Sequence, residues 1–285
     1  MRADKTIRPG DENIFTSYQN FFLIVSHAPS GAGAFRLADR ASRCIYNEKH
    51  MRLAVVLLGA AALMAASDRS EYFSTDSGPV NITIVHHASL VIEASGRVIY
   101  VDPTSEGSYK GLPKADLILI TSDKPDHFDP AAIAHYSRKS TAIIAPAGPA
   151  KQLKNCTAMA NGETVNLAEI VIQAEPAYQA APLAGAKSAH PKGDGNGYVL
   201  TYPGWRVYIS GDTGLFPEMK SIKNIDAAFI SVGSPDSMSI ADAAQAIRTI
   251  SPKVAYPYCY RDTNPDDLRK QLVIPGVEVR VRNWY

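Results

Sequence analysis

Side chains of the types that bind metal ions stand directly after predicted strands at five points of the sequence. Those points are His86 and His87, the segment 122–127, His190, Asp212 and Cys259. Loops that follow strands collect the ligand-binding residues of α/β folds. A single histidine is more often structural, and a single aspartate after a strand more often caps a turn. Imidazole, carboxylate and thiolate groups together form the usual zinc ligand set, so this pattern predicts a metal site.

The order of these segments resembles the metallo-β-lactamase superfamily, in its branch of small metal-dependent hydrolases. The segments that carry the resemblance are T-S-D-K-P-D-H-F-D at 121–129, H-P-K-G at 190–193, R-V-Y-I-S-G-D-T-G at 206–214 and K-V-A-Y-P-Y-C-Y at 253–260. The resemblance covers about residues 80–282. It implies an α/β fold, an αββα sandwich of two mixed β-sheets with helices outside, with the metals bound at one edge between the sheets.

The resemblance also implies a metal motif of the form H-x-H-x-D-H, which this sequence keeps only in part. Ser122 and Lys124 stand where the two spaced histidines of the first metal site belong. Asp126 and His127 match the Asp-His pair that holds the second metal. The motif is therefore degenerate at the first site and intact at the second.

Three later segments supply the other ligands that the resemblance implies. His190 corresponds to the further histidine of the first site, and Asp212 to the carboxylate that bridges both metals. The last family ligand is a histidine in a P-x-H-Y context, and Cys259 stands at that position. A thiolate is a good zinc ligand.

Two hypotheses of different classes follow. The first is a hydrolase of an ester, amide or phosphoester that uses water activated by one zinc ion. Its metal ligands are Asp126, His127, Asp212 and Cys259, with His190 counted as a further candidate, and its catalytic residues are Asp126, Lys124 and His190. The second is a metal-free, non-catalytic pseudoenzyme that binds a small molecule. The metal content of the purified protein discriminates between them.

Lys124 is central to that choice because its ammonium group competes with a metal ion. A charge of +1 about 4 Å from a charge of +2 costs on the order of 8 kcal/mol at an effective dielectric constant of about 20. In one arrangement Lys124 replaces the first metal, pairs with Asp212 and Asp126, and leaves the second site empty or weakly filled. In the other, Lys124 turns outward or deprotonates, and a single zinc remains.

Four further residues are expected to contact the metal ligands or the substrate. They are His86, His87, Asp102 and Ser122. A metal-bound histidine usually donates its second ring N–H to a carboxylate or carbonyl, so groups of this kind are expected beside the ligands.

Short strands with turns between them must position these side chains. The predicted strands are 81–85, 89–93, 97–101, 116–121, 141–145, 164–166, 170–175, 198–202, 206–210, 227–231, 254–256 and 277–281. Helices are predicted from Pro130, with Asp129 as N-cap, over 149–153, and over 241–250 after Ser239. The glycines at 193, 195 and 197 are expected to form a turn into the strand at 198.

Composition and charge exclude several classes of protein. The 285 residues are 46% hydrophobic and 20% charged, which is ordinary for a protein with a large core. A formal charge of +1 provides no concentrated basic excess, so nucleic acid is not an expected partner. A small-molecule substrate or ligand is expected, and the pattern leaves the oligomeric state open.

The segment 51–67 has the three parts of a secretory signal. Met51 and Arg52 are followed by an uncharged apolar run, and small residues follow at Ala65 and Ser67. The run is too short for a stable membrane span, which needs about 20 residues. We therefore expect a periplasmic or secreted mature domain over 68–285. Residues 1–50 are expected to be a non-native upstream extension or a disordered tail.

Overall fold

The computed structural model describes residues 69–179, 190–233 and 237–285, which form two β-sheets of seven strands each. The first sheet contains β1 (Ser70–Thr75), β2 (Gly78–His86), β3 (Ser89–Ala94), β4 (Arg97–Val101), β5 (Leu117–Leu119), β6 (Ala142–Ala145) and β7 (Cys156–Ala158). The second sheet contains β8 (Thr164–Leu167), β9 (Ile170–Ala177), β10 (Gly195–Tyr202), β11 (Trp205–Ile209), β12 (Ala227–Ser231), β13 (Val254–Tyr258) and β14 (Glu278–Val279).

Both sheets are mixed and are built in the same way. In each sheet the strands lie side by side in the order of the sequence. The first four strands of each sheet pair antiparallel, and the last four pair parallel. The carboxyl ends of the parallel strands therefore collect at one edge of each sheet, which is where α/β folds bind ligands.

Two-residue periodicity along the strands sorts side chains into an inner core and two outer cores. On β10, Tyr198 and Leu200 face the inner cluster that both sheets share, whereas Val199 faces an outer cluster. On β4, Ile99 and Val101 face inward and Tyr100 faces the other outer cluster. The inner cluster is the layer between the two sheets.

The helices cover the outer faces of the sheets. They are α1 (Pro130–Tyr136), α2 (Ala147–Ala150), α3 (Ile240–Ile250), α4 (Asp266–Gln271) and a 3-10 helix at Pro217–Ser221. Ile133 of α1 packs on the first sheet, and Ile247 of α3 packs on the second. The αββα sandwich expected from the resemblance is therefore confirmed.

Both predicted N-caps are present. The Asp129 carboxylate accepts hydrogen bonds from the backbone of Ala131 at 2.9 Å and of Ala132 at 3.0 Å. The Ser239 hydroxyl accepts a hydrogen bond from the backbone of Asp242 at 3.1 Å. These caps satisfy backbone N–H groups at the first turn, which have no partner inside a helix.

Several expected boundaries were wrong. The helix expected at 149–153 is α2, two residues earlier and only four residues long. Gly195 and Gly197 belong to β10 rather than to a turn, and the strands at 70–75 and 156–158 were not expected.

The expected signal segment 51–67 and the extension 1–50 lie outside the described residues. Within the described part of the chain, no helix has the length and apolar character that membrane crossing requires.

Candidate metal centre

The edge where the parallel strands end brings together residues from both sheets. Asp102 follows β4 and Asp126 and His127 follow β5 in the first sheet, whereas Asp212 follows β11 and Cys259 follows β13 in the second. Hydrogen bonds join the sheets at this edge: the backbone of Asn196 donates to the Thr121 carbonyl at 2.9 Å, and the Tyr198 hydroxyl donates to the Ile120 carbonyl at 2.8 Å.

Gly211 allows the turn that carries Asp212 to approach the first sheet. Its φ is 62°, and a Cβ atom there would lie 3.0 Å from both the Asn196 carbonyl oxygen and Thr121 Cβ. A side chain would crowd Asn196 in its own sheet and Thr121 in the other sheet, and glycine adopts this left-handed conformation without steric cost. The G-D-T sequence thus places the carboxylate between the sheets.

His127 is the most buried of the predicted metal ligands, with no exposed surface on its side chain. Its Nδ1 lies 2.7 Å from Asp102 Oδ2 and 3.0 Å from Thr121 Oγ1. Its Nε2 lies 3.3 Å from Asp212 Oδ2 but makes no hydrogen bond to any described residue. A buried ring whose Nδ1 is held by a carboxylate and whose Nε2 lacks a hydrogen bond is arranged as a metal ligand.

Asp102 holds that ring in place. It is fully buried, with φ 44°, and its carboxylate accepts hydrogen bonds from the Thr121 backbone at 2.7 Å and the Thr121 hydroxyl at 2.5 Å. Burial raises the pKa of Asp102, against the opposing effect of His127. Burial alone would lower the pKa of His127, but Asp212 and Asp102 on its two sides raise it well above its usual range.

We call Asp126, His127 and Cys259 the histidine half of the site. The donor atoms of Asp126, His127 and Asp212 all lie within 4.8 Å of one another. The same holds for His87, His127 and Cys259. His127 belongs to both groups, so donor atoms from four loops converge around its ring.

Cys259 is buried at the end of β13 in a left-handed conformation with φ 55°. Its Sγ donates a hydrogen bond to the His87 carbonyl, with a sulfur–oxygen distance of 3.8 Å. Burial and the nearby carboxylates of Asp212 and Asp102 raise the pKa of the thiol well above its usual range. In the absence of a metal ion the side chain is therefore a thiol.

We call Ser122, Lys124 and His190 the lysine half of the site. Lys124 turns inward, and its Nζ lies 3.1 Å from Asp212 Oδ2. The Ser122 hydroxyl accepts a hydrogen bond from the Lys124 backbone at 3.3 Å and shapes the turn. Asp212 also accepts a hydrogen bond from the Ser237 hydroxyl at 2.9 Å. Burial raises the pKa of Asp212, but His127 and Lys124 together hold it well below its usual range.

His190 is buried at the start of the chain that leads into β10. A Cβ atom on Gly195 would lie only 2.5 Å from His190 Nε2, so the absence of a side chain at position 195 makes room for the ring. Burial and the neighbouring Lys124 charge lower the pKa of His190. The imidazole is therefore neutral at pH 7.

His87 contacts the histidine half through Asp126. Its Nε2 lies 3.0 Å from Asp126 Oδ2, and its Nδ1 lies 2.8 Å from the Tyr285 hydroxyl. Burial raises the pKa of Asp126, but the His87 hydrogen bond and the His127 charge outweigh it and lower the pKa to about 2. An ionised carboxylate only accepts, so His87 Nε2 donates to Asp126.

His86 lies apart from these groups. Its Nε2 is 3.4 Å from the exposed carboxylate of Glu106, and its ring meets the edge of the Tyr285 ring. The structure thus brings nine of the ten predicted site residues into one cluster and places His86 at its rim.

Two residues of the cluster were missed by sequence reasoning. The Arg261 guanidinium donates to Asp126 Oδ2, and the Arg261 backbone donates to the Tyr285 hydroxyl at 2.8 Å. Arg261 follows Cys259 by two residues, which is the one sequence signal for it. Tyr285 lies far from every motif in the sequence and had no such signal.

The two halves differ in their fit to a metal ion. In the histidine half, the buried Nε2 of His127 makes no hydrogen bond to a described residue. The ring belongs to one group of donor atoms with Asp126 and Asp212 and to another with His87 and Cys259, and donors of these types fit a divalent ion. In the lysine half, an ammonium group pairs with the shared carboxylate, and Ser122 provides no strong ligand. That half does not fit a metal.

Comparison with known proteins gives the same family for most of the domain. The family model described as "Beta-lactamase superfamily domain" matches residues 81–258. A UPF0173 metal-dependent hydrolase of Caldivirga maquilingensis is 30% identical over 216 residues, covering 68% of this chain and 91% of its own length. A second one, from Archaeoglobus fulgidus, is 29% identical over 221 residues, covering 71% of this chain and 94% of its own length.

Solved structures agree with this match. The crystal structure of a candidate metal-dependent hydrolase from Parabacteroides distasonis is 42% identical, covers 75% of this chain and 97% of that chain, and has a TM-score of 0.71. The metallo hydrolase Igni18 of Ignicoccus hospitalis has 23% identity, coverage of 71% and 94%, and a TM-score of 0.59, which shows a shared fold. The chain therefore belongs to the metallo-β-lactamase superfamily.

Proposed function

We propose that this protein is a hydrolase that uses one zinc ion, held by Asp126, His127, Asp212 and Cys259. The observation that carries the proposal is the Nε2 atom of His127, which is buried, lacks a hydrogen bond among the described residues, and faces Asp212 at 3.3 Å. The mixture of thiolate, imidazole and carboxylate favours zinc over magnesium or calcium, which prefer oxygen ligands. The metal-dependent hydrolase names of the relatives support this reading over a metal-free pseudoenzyme.

Charge balance around His127 supports a divalent ion. Without metal, the carboxylates of Asp102, Asp126 and Asp212 are balanced by Lys124, Arg261 and a protonated His127, because the pKa of His127 is raised. With metal, His127 would be neutral and Cys259 a thiolate, and the two positive charges of the ion would restore the balance. The site can thus exchange two protons for one divalent ion without a change in its net charge. Lys124 can then stay inward on Asp212, because the three carboxylates and the thiolate offset its repulsion of the ion, so zinc binding does not require the outward or deprotonated lysine expected from the sequence.

A bound zinc ion would supply Lewis-acid activation of water. Lys124 contributes a positive charge beside Asp212, and its ammonium can stabilise negative charge that develops on a carbonyl or phosphoryl oxygen. His190 is neutral and buried beside Lys124, so its imidazole can accept or donate the proton that the reaction moves. Asp126 stays ionised at neutral pH because its pKa is about 2.

The substrate class follows from this chemistry as an ester, an amide or a phosphoester. All three reactions add water to a centre whose oxygen gains negative charge, and the same fold hosts many such substrates. The test begins with protein purified without chelator, whose metal content is measured by mass spectrometry. We expect about one zinc ion per chain, and hydrolysis of a panel of nitrophenyl esters, anilides and phosphodiesters that chelator removes and zinc restores.

The matched control compares two histidines. His127→Gln is expected to lose both zinc and hydrolysis, whereas His135→Gln, on the exposed face of α1, keeps both. Less than about a tenth of an equivalent of zinc in the unchanged protein, with no gain when zinc is added, would refute the hydrolase and favour the metal-free alternative.

We also propose that the mature domain, 68–285, is periplasmic or secreted, with segment 51–67 as its signal. The support is the basic start, apolar run and small residues of that segment. Fractionation of cells that express the full chain, with N-terminal sequencing of the product, tests this. A product in the soluble cytoplasmic fraction that retains residues 51–67 would contradict it.

A further inference from the structure

Arg261 occupies a strained position at the mouth of the site. Its φ is 41° and that of Cys259 is 55°, both in the left-handed region that residues with side chains seldom adopt. The backbone N–H of Arg261 donates to the Tyr285 hydroxyl at 2.8 Å, and the Tyr260 hydroxyl donates to the Arg282 carbonyl at 2.9 Å. The segment 282–285 is therefore hydrogen-bonded to this left-handed turn, and strained backbone of this kind is common at functional sites.

The Arg261 side chain faces both the site and the solvent. One guanidinium nitrogen, Nη2, donates to Asp126 Oδ2, and 57% of the side chain is exposed, against 22% for Asp126. A guanidinium carries five N–H donors in a planar fork. Among the described residues no other hydrogen bond of this guanidinium is found, so an edge of the fork is open to a molecule that enters the site.

The carboxylates Asp126 and Asp212 are each paired with groups other than Arg261. Asp126 also accepts a hydrogen bond from His87 at 3.0 Å, so its negative charge does not depend on Arg261 alone. Asp212 is already paired with Lys124 at 3.1 Å and with His127 at 3.3 Å. At the rim of the site, the largely exposed Glu106 pairs with His86 at 3.4 Å.

We propose that Arg261 binds an anionic group of the substrate, a carboxylate or a phosphate, next to the bond that is hydrolysed. Both groups present two oxygens that match the planar fork, and Arg is the side chain best suited to this bidentate contact. That the bound anion belongs to a hydrolysed substrate rests on the proposed hydrolase function. The anion site itself requires only the described residues.

The test is a binding measurement that needs no turnover. Inorganic phosphate, phenylacetate and uncharged phenylacetamide are titrated by calorimetry into the full chain, once after treatment with chelator and once loaded with zinc. We expect one or both anions to bind and phenylacetamide not to bind. Arg261→Gln is expected to weaken anion binding at least about tenfold, and Arg261→Lys to weaken it by less, because an ammonium lacks the fork.

Arg269→Gln is the matched control. Arg269 is also an exposed arginine, at 61%, and is paired with an aspartate, Asp266 of α4. Its loss is expected to change anion affinity by less than about twofold. Binding of phosphate alone assigns a phosphate-bearing substrate, and binding of phenylacetate alone assigns a carboxylate. Affinity that is unchanged in Arg261→Gln, or equally reduced in Arg269→Gln, overturns the proposal.

A second measurement separates this proposal from the proposed function. With zinc-loaded protein, p-nitrophenyl hydrogen succinate, an anionic ester, is compared with p-nitrophenyl butyrate, a neutral one. Because Arg261 also contacts Asp126, Arg261→Gln is expected to lower kcat/KM for both esters, but for the anionic ester at least about tenfold more than for the neutral one. If no metal binds and no ester is cleaved, the hydrolase proposal fails while the titration still decides the anion site. If both esters lose activity equally, the anion proposal fails alone.

Discussion

The lysine half and the histidine half of the site share one carboxylate, Asp212, but neutralise it differently. On one side the Lys124 ammonium lies 3.1 Å from Asp212 Oδ2. On the other side His127 Nε2 lies 3.3 Å from the same oxygen, within a group of metal-binding donor atoms. A lysine replaces the charge of a metal ion but provides no coordination positions for water or substrate. Metal chemistry at this site therefore has to come from the histidine half.

His127 is the more deeply buried partner of Asp212, and its removal is expected to cost the most stability. His127→Ala removes the buried partner of both Asp102 and Asp212 and is expected to destabilise the protein by about 3–5 kcal/mol, because two buried carboxylates lose their counter-charge. Lys124→Ala removes a partner that is 22% exposed, and water can replace part of the interaction, so its cost is expected to be about 1–2 kcal/mol. Urea unfolding of chelator-treated protein measures both changes, and equal costs would contradict the assignment of a buried and a wetter half.

A metal ion that binds to the histidine half must displace protons from its ligands. His127 and Cys259 both have raised pKa values, so both are protonated at pH 7 in the metal-free protein. Zinc binding is then expected to release two protons, and its affinity should rise about 100-fold per pH unit near neutrality. Calorimetry in buffers of different ionisation enthalpy counts the protons.

Two cysteine variants separate the proton released by the Cys259 thiol from the one released by His127. In Cys259→Ser only His127 releases a proton, so the rise in affinity falls to about tenfold per pH unit. Cys156→Ser is the control, because Cys156 lies in β7 and belongs to neither group of donor atoms. Full zinc occupancy with an unchanged pH slope in Cys259→Ser would count against the thiolate ligand.

Two substitutions would give the lysine half imidazole groups that can bind a metal ion. Ser122→His with Lys124→His removes the ammonium and restores two imidazoles beside His190 and Asp212. We expect the zinc content to rise from about one to about two ions per chain, because three histidines and one carboxylate complete a zinc site. Mass spectrometry measures the stoichiometry. No rise would undermine the correspondence between these two positions and the first metal site.

Much of the fold follows from strand periodicity in the sequence. The segment 97–101 is β4 with the expected bounds, and 227–231 is β12 with the expected bounds, because each is a β-branched or apolar run with turns at its ends. The strand at 70–75 was missed because its pattern, S-E-Y-F-S-T, is mostly polar. It is held by pairing with β2 and by the buried Glu71, which contacts Arg280 and Arg282 far along the chain. Such long-range contacts leave no local signal.

Some residues of the site could be predicted from the sequence, and others could not. Residues at the ends of strands, such as Asp102, His127 and Asp212, could be predicted because parallel strands end at one edge of a sheet. Tyr285 could not be predicted, because its contact with His87 depends on where the segment after β14 returns to the fold. The direction of the Lys124 side chain was also open, since both an inward and an outward rotamer agree with the sequence.

A substitution at position 195, beside His190, tests whether the two halves of the site act independently. In Gly195→Ala the new Cβ would lie 2.5 Å from His190 Nε2 and 3.1 Å from the Ala177 carbonyl oxygen, so the ring must move. The crowding is expected to cost about 1–2 kcal/mol of stability. Because His190 belongs to the lysine half, zinc content should stay unchanged while kcat/KM falls about tenfold, an effect within the range for loss of a positioned proton carrier.

Gly148→Ala is the control for that variant. A Cβ at Gly148 meets its nearest atom, Asp123 Oδ2, at an ordinary 3.6 Å, so neither stability nor hydrolysis should fall measurably. If Gly195→Ala instead removes zinc, then His190 takes part in holding the ion, and the two halves form one coordination site rather than two with different tasks. If stability and kcat/KM are both unchanged, the close packing of His190 on position 195 has no bearing on either half.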